Sequence, residues 1–378
     1  MNFIGVSWFY YAATIVAGAC YFYVYVFSTF WLVLIRYSVT ENFTEVAIAV
    51  SLMAASVTSI IKFIFMILHV SQARETVRKI LAFDALMEPG TRLTMNLRKN
   101  LRMVKKRALT IWIILATNAA IFAVFPFLRP GRHFTEDTYI IYGLEPMLES
   151  PNYEIALTMS IISIFFCVYV MINVAVYVIV IVGYIEAQIK TIGVEVKNLW
   201  KDSQNFYKIM HHKVQNKIYA LHKKENIEND FIQRRLRTLF NYHVTNINIF
   251  QKLNEELCDT LAIEYVIMTV AIITELLGGL ENTYLQLPFT LVLMFIDCLS
   301  GQKLIDACRE FEEALYGCEW QNFNVANQKT ILLMLLISQK TLLMSAGGIA
   351  NLNFECLMMI LKSSYSAYTA LKSGMQKH

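Results

Sequence analysis

The chain has 378 residues, of which 56% are hydrophobic and only 16% charged, with a formal net charge of +4 and a mean hydropathy of +0.46. Soluble domains average about 25% charged residues, so this composition excludes a soluble globular protein and indicates a resident of the bilayer. The positive excess lies in the gaps between apolar stretches, which makes it a topology signal and not a nucleic-acid-binding surface.

Seven apolar stretches follow one another, and a membrane span takes about 20 such residues. They predict helices at roughly 8–36, 43–72, 105–127, 153–187, 258–280, 285–304 and 330–371. The first is uncharged as far as Ile35 and has no basic leader, so it reads as a span and not as a signal peptide. The gap after it holds only Arg36 and the sequon Asn42-Phe43-Thr44, a candidate glycosylation site. The second gap is crowded with Arg74, Arg78, Lys79, Arg92, Arg98, Lys99, Arg102, Lys105, Lys106 and Arg107. Between the third and fourth stretches, Arg129 and Arg132 are outnumbered by Glu136, Asp137, Glu145 and Glu149, and Pro146 and Pro151 suggest an ordered loop. Lysines and arginines return between Lys190 and Arg237 and are absent from the fifth gap. Basic loops stay cytoplasmic. This alternation therefore predicts a cytoplasmic N-terminus and, after an odd number of spans, an extracellular C-terminus.

Ile155 to Tyr184 is uncharged for about 45 Å of helix, longer than the hydrocarbon core, so this helix is expected to tilt or project inward. Before the fifth span, Leu236, Phe240, His243, Ile247, Phe250, Asn254 and Leu257 recur at steps of 4 and 3, one stripe on a long helix. The sixth runs on into Asp306, Arg309, Glu310, Glu312 and Glu313, too charged for lipid. Together these predict a cytoplasmic helical bundle that anchors subunits to one another, with Phe240, His243 and Phe250 among the contacts; the alternative is packing private to one chain. The last stretch is interrupted by Gly347-Gly348, and only its second half is long enough to span.

The fold class expected is therefore an all-α membrane protein with seven transmembrane helices and a cytoplasmic anchor. Residues 1–187 would carry the first four spans, 188–257 the anchor helices and 258–304 spans five and six. Residues 305–346 would return to the anchor with the first half of helix seven, and 347–378 would hold its second half and the outer terminus.

Chemistry-bearing motifs are sparse. The seven cysteines show no C-x-x-C, so neither a disulfide framework nor a metal site is indicated, and no enzyme motif or cofactor signature appears. Lys62, Glu264, Glu275 and Asp297 lie in or near spans. Lys62 and Asp297 are expected to snorkel or pair with each other, and Glu275 to sit on the outer rim. Aromatic and sulfur side chains make adaptable apolar pockets. The candidates for a small-ligand pocket are Met53, Ala119, Phe122, Met159, Ser163, Phe166, Tyr265, Met268 and Tyr284, with Ala116, Ala119 and Ala120 leaving room for a volatile-sized molecule. In the last helix, Ser366, Ala370 and Ser373 form a small, hydroxylated stripe beside Thr369, suited equally to close helix packing or to a pore lining.

The C-terminal third resembles the insect odorant receptor family. The resemblance is carried by Tyr316, Glu319 and Trp320, by Gln339, by Ala346-Gly347-Gly348 and by the closing run from Leu361 to Leu371. Pro151-Asn152-Tyr153 and His243 also match family positions, whereas the Thr-Tyr-x5-Gln-Phe ending of the related gustatory receptors is absent. The resemblance implies one subunit of a tetrameric ligand-gated cation channel in the dendritic plasma membrane of olfactory neurons. Small neutral odorants would bind in the outer half of each subunit and Na+, K+ and Ca2+ would pass through a pore lined by the last half-helix. Ser366, Thr369, Ala370 and Ser373 would then face the pore or gate, and Tyr316 and Trp320 would join the anchor. The short fourth gap implies a tuning subunit that assembles with the shared co-receptor Orco. A homomeric gustatory-type channel and a G-protein-coupled receptor are the alternatives, and the charge alternation speaks against the latter.

Overall fold

The computed structural model describes residues 8–37, 43–85, 87–128, 130–134, 139–211 and 217–375, without the side chains of 211–223. Asn42, Arg129, Glu136 and Asp137 lie outside the described residues. The chain is a bundle of long helices: α1 (Trp8–Arg36), α2 (Phe43–Ala85), α3 (Arg92–Leu128), α4 (Asn152–Lys197), α5 (Leu199–His211), α6 (Lys217–Leu277), α7 (Gln286–Tyr316), α8 (Val325–Ser338) and α9 (Phe354–Met375). Five of them (α1, α2, α3, α4 and α6) are long and apolar enough to cross a membrane by length and composition. α7 carries Asp297 and Lys303 in mid-helix, and α9 is studded with hydroxyls, which lowers the hydropathy of both.

The helices outrun the expected spans. The second continues to Ala85, the third begins at Arg92, the fourth reaches Lys197, and the fifth is preceded by some forty helical residues. At 1.5 Å per residue, α4 with 46 residues is about 70 Å long and α6 with 61 about 90 Å, against about 30 Å of hydrocarbon. A helix satisfies its own backbone and needs no lipid to persist, so charge ends the span without ending the helix. The projecting segments gather at the basic end of the bundle. There Arg92 bridges Glu195 at 2.8 Å and Asp202 at 2.5 Å, Arg235 reaches the same Glu195 at 2.8 Å, and Arg107 meets Glu186 at 2.5 Å. Burial pushes the Glu195 carboxyl up, but Arg92 and Arg235 outweigh it and hold it below the ordinary carboxylate value.

α4 runs through the centre. Val178, Ile179, Val182, Ile185, Ile189, Ile192 and Val196 are all buried, and so are Glu186 and Glu195 between them, which the ion pairs above compensate. Gly183 lets α3 close in, since a Cβ there would lie 2.4 Å from Val104 Cγ1.

At the opposite end the 130–151 connection is strapped onto α1. The Tyr139 hydroxyl donates to the Val24 carbonyl, Tyr23 donates to the Tyr142 carbonyl at 2.7 Å, and Arg36 pairs with Glu145. The ordered loop expected of this proline-bearing gap is thus present in its described part.

Beyond α7, Glu319 takes a left-handed φ of 59° and ends the helical run. Asn324 caps α8 by accepting from the Asn327 N–H at 3.0 Å, and Asn327 Nδ2 donates to the Asn229 carbonyl at 3.0 Å, pinning the start of α8 to α6. The di-glycine is no simple hinge. Ser345–Ala346 and Ala350–Asn351 pair as a tiny antiparallel hairpin whose turn needs φ of +62° at Gly347 and +69° at Gly348. The Gly347 N–H donates to the Cys258 carbonyl at 2.9 Å and the Ser345 N–H to Asn254 Oδ1 at 2.8 Å, so the hairpin is docked on α6.

Candidate functional site

Near the loop end, α1, α2, α3, α4, α6 and α7 converge on a cavity of about 110 Å³. An engineered apolar cavity of about 150 Å³ holds benzene, so this one is of the order that admits a small organic molecule. Tyr21 and Tyr25 come from α1, Leu52, Ala55 and Ser56 from α2, and Asn118, Ala119 and Phe122 from α3. Ile164, Cys167 and Val168 of α4 close one side, and Glu275 of α6 with Gln286, Phe289 and Thr290 of α7 close the other. A second space of about 30 Å³ shares Tyr25, Leu52, Phe122 and Ile164 with the first and extends towards Phe134 and Tyr139 of the loop.

The walls divide by chemistry. On the α1–α3 side two hydroxyls donate to backbone: Ser56 Oγ to the Leu52 carbonyl at 2.7 Å and Tyr21 to the Ser56 carbonyl at 3.1 Å. On the α6–α7 side Thr290 Oγ1 donates to Glu275 Oε1 at 2.9 Å, while Ser51 Oγ donates to Gln286 Oε1 at 3.0 Å. Asn118 Nδ2 donates to the Leu285 carbonyl at 3.4 Å, both residues being part of the lining. Such a pocket, mostly apolar with a few placed polar groups, suits a small organic ligand. Among the described residues no group of three or more His, Cys, Asp or Glu gathers in a metal-holding arrangement.

Of the nine pocket residues expected from the sequence, Ala119 and Phe122 line this cavity. The other seven lie elsewhere. On α2 the cavity face is Leu52, Ala55 and Ser56, spaced at 3 and 4, and Met53 falls on the neighbouring face. Ser163 and Phe166 miss by the same rotation of α4: Ser163 Oγ donates to the Met159 carbonyl, and Phe166 packs on Tyr21 and Phe63. Met159 joins the cluster under the loop. Tyr265 and Met268 lie ten and seven residues before Glu275, about 15 and 10 Å down α6, in the core, where the Tyr265 hydroxyl donates to the Met294 carbonyl at 3.3 Å. Tyr284 is 41% exposed and meets Phe125 edge-on.

The intramembrane charges differ from expectation. Glu275 is no rim residue; at 1% exposure it is part of the cavity wall. Lys62 forms its ion pair with Glu264, at 2.7 Å with both buried, and Asp297 acts on the same ammonium from α7. Polar residues spaced on three helices (Asn118, Glu275, Gln286 and Thr290) were the available signal for the pocket. The aromatic count pointed to neighbouring faces.

The anchor candidates divide as well. His243 packs on Phe311 at 4.6 Å and Phe250 is sealed in the core, so both serve contacts within one chain, and Phe240 is half-buried beside them. Tyr316 and Trp320 are exposed. On α9, Ser366, Thr369, Ala370 and Ser373 share an exposed face, whereas Cys356 and Ser364 point into the bundle.

α6 and α7 also hold the root of α9. Below the cavity, α7 presents Gly301 to the backbone at Leu352, where a Cβ would lie 1.9 Å from the carbonyl oxygen. α6 meets Gly347 at Ala262, where a Cβ would lie 2.9 Å from the alanine methyl.

Known proteins share this architecture. The family model described as 7tm Odorant receptor matches residues 42–365. Odorant receptor 85f of Drosophila melanogaster is 26% identical over 114 residues, which is 29% of each chain; the match thus spans under a third of that relative's length. The solved structure of the insect olfactory receptor OR5 from Machilis hrabei in complex with eugenol superposes with a TM-score of 0.72 at 11% identity, covering 97% of this chain and 89% of that one. The OR5 structure described without eugenol gives 0.72 at 12%, covering 96% and 88%. With a family match over most of its length and the matching seven-helix fold, this chain is a multi-pass membrane protein that belongs to the insect odorant receptor family.

Proposed function

We propose that this chain is the odorant-binding subunit of a heterotetrameric, ligand-gated, non-selective cation channel. A small volatile odorant would occupy the cavity near the loop end, in the outer half of the membrane, and its binding would open a central pore lined by α9. The observation that carries this reading is the double duty of α6 and α7. They wall the cavity with Glu275, Gln286, Phe289 and Thr290, and they grip the root of α9 through Ala262 and Gly301. A ligand that spreads or tightens these two helices acts directly on the seat of α9. It opens the channel only to the extent that it binds the open arrangement better than the closed one.

The exposed hydroxylated face of α9 and the exposed Tyr316 and Trp320 suit the pore and the inter-subunit anchor. Pairing with Orco, conduction of Na+, K+ and Ca2+ and residence in the dendritic membrane of olfactory neurons belong to the same proposal. The decisive experiment is voltage-clamp recording of the chain with and without the co-receptor during an odorant panel. Odorant-gated current that reverses near 0 mV and needs both subunits supports it. Robust surface expression with no current in any combination refutes it, as does a C-terminal tag inaccessible from outside intact cells.

A further inference from the structure

One residue of the cavity lining, Glu275, holds a buried polar atom with nothing to bond. Glu275 is 1% exposed; its Oε1 accepts from Thr290, and its Oε2 has no hydrogen-bond partner among the described residues. No Lys, Arg or His of the described residues forms an ion pair with it, in contrast to Glu264, which has Lys62. Stripping an acidic group of water without compensation is costly, so buried carboxyl groups ordinarily come with partners. The cavity it lines is otherwise mostly apolar and aromatic, with Leu52, Ala119 and Phe122, and the Ser56 hydroxyl in the same lining is already committed to backbone. A donor carried by a ligand would supply the missing partner.

We propose that Glu275 is the polar anchor of the pocket, and that its ligands are small, mainly apolar molecules carrying one hydrogen-bond donor, an alcohol or a primary amine. The O–H or N–H sits on Oε2 and the hydrocarbon body fills the space lined by Leu52, Ala119 and Phe122. This rests on the cavity being the odorant site. A ligand of the same shape without a donor leaves Oε2 unpaired and forfeits the gain.

The test uses isosteric trios with equal numbers of heavy atoms: benzyl alcohol, benzylamine and ethylbenzene, and 1-hexanol, hexylamine and heptane. Each is applied to wild type, Glu275→Gln and Glu275→Leu in channels co-expressed with the co-receptor, with surface labelling in parallel. In wild type a donor-bearing member is expected to activate at a concentration at least about tenfold below its hydrocarbon. Glu275→Leu should collapse that gap to within about threefold while leaving the hydrocarbon response intact. Glu275→Gln separates the two donors, keeping alcohol preference and losing that for the charged amine. Equal potency within both trios, a gap that survives Glu275→Leu, or silence towards every compound from channels at the surface overturns the assignment. Ala119→Phe distinguishes the failures. If it leaves all responses unchanged, the cavity is not the odorant site; if it abolishes them while the trios rank equally, only the anchor is wrong.

Discussion

Lys62→Met removes the only positive charge from a buried cluster that also contains Glu264 and Asp297. At 2.7 Å and an effective dielectric constant of about 20, the Lys62–Glu264 attraction is about 6 kcal/mol. That is of the order of the desolvation cost of the two ions, so the intact pair contributes little net stability. Breaking it is another matter. Glu264 keeps its burial, at 2% side-chain exposure, and loses its counter-ion beside a second carboxyl group. Removing one partner of a buried pair costs about 3–5 kcal/mol. With an unfolding entropy of about 2.1 cal/mol/K per residue, 378 residues give about 0.8 kcal/mol/K, so 4 kcal/mol lowers the midpoint by about 5 °C. The assay is thermal unfolding of detergent-purified protein at fixed concentration, followed by fluorescence-detected gel filtration. The triple variant Lys62→Met, Glu264→Gln, Asp297→Asn removes all three charges and should recover most of the loss. A single variant within about 1 °C of wild type, or a triple variant no better than the single, would show that this charge accounting is wrong.

Three further outcomes follow from particular contacts. His243 has no hydrogen-bond partner on either ring nitrogen among the described residues, and burial pushes it down to about 4. The unfolded imidazole titrates near 6.5, so its contribution is fully present above that pH and is lost as pH falls from about 6.5 towards 4; between pH 7 and 5 the loss is about 2 kcal/mol, and His243→Phe should flatten the pH dependence of the unfolding midpoint by that amount. Gly301→Ala forces a methyl group against the Leu352 carbonyl, an overlap that backbone must absorb; it should shift odorant sensitivity or resting current at least severalfold in voltage clamp, whereas Gly183→Ala, which meets the side chain of Val104, should leave gating within about twofold. Ala119→Phe places a ring in a cavity of about 110 Å³ and should raise the half-maximal odorant concentration at least about tenfold at unchanged surface level.

Membrane residence, the number of apolar segments and the distribution of basic loops were legible in the sequence, because each depends on local composition that the bilayer reads directly. So was the interruption at Gly347-Gly348, since positive φ at consecutive residues demands glycine. The hairpin formed there, and its docking on Asn254 and Cys258, involve partners some ninety residues away that no local pattern announces.

The lining of the cavity was legible only in small part. Ala119 and Phe122, expected from the small and aromatic residues of the third span, line the cavity. Met53, Ser163 and Phe166 fall a fraction of a helical turn away from the cavity lining, and in a span apolar all round hydropathy cannot tell which face looks inward. The partner of Lys62 and the burial of Glu275 depended on how α2, α6 and α7 rotate against one another. By itself the sequence determined that this protein crosses the membrane repeatedly and where its backbone must break. Only the tertiary structure decided which side chains share a cavity and which charge meets which, because helix phase and packing are set by the whole bundle at once.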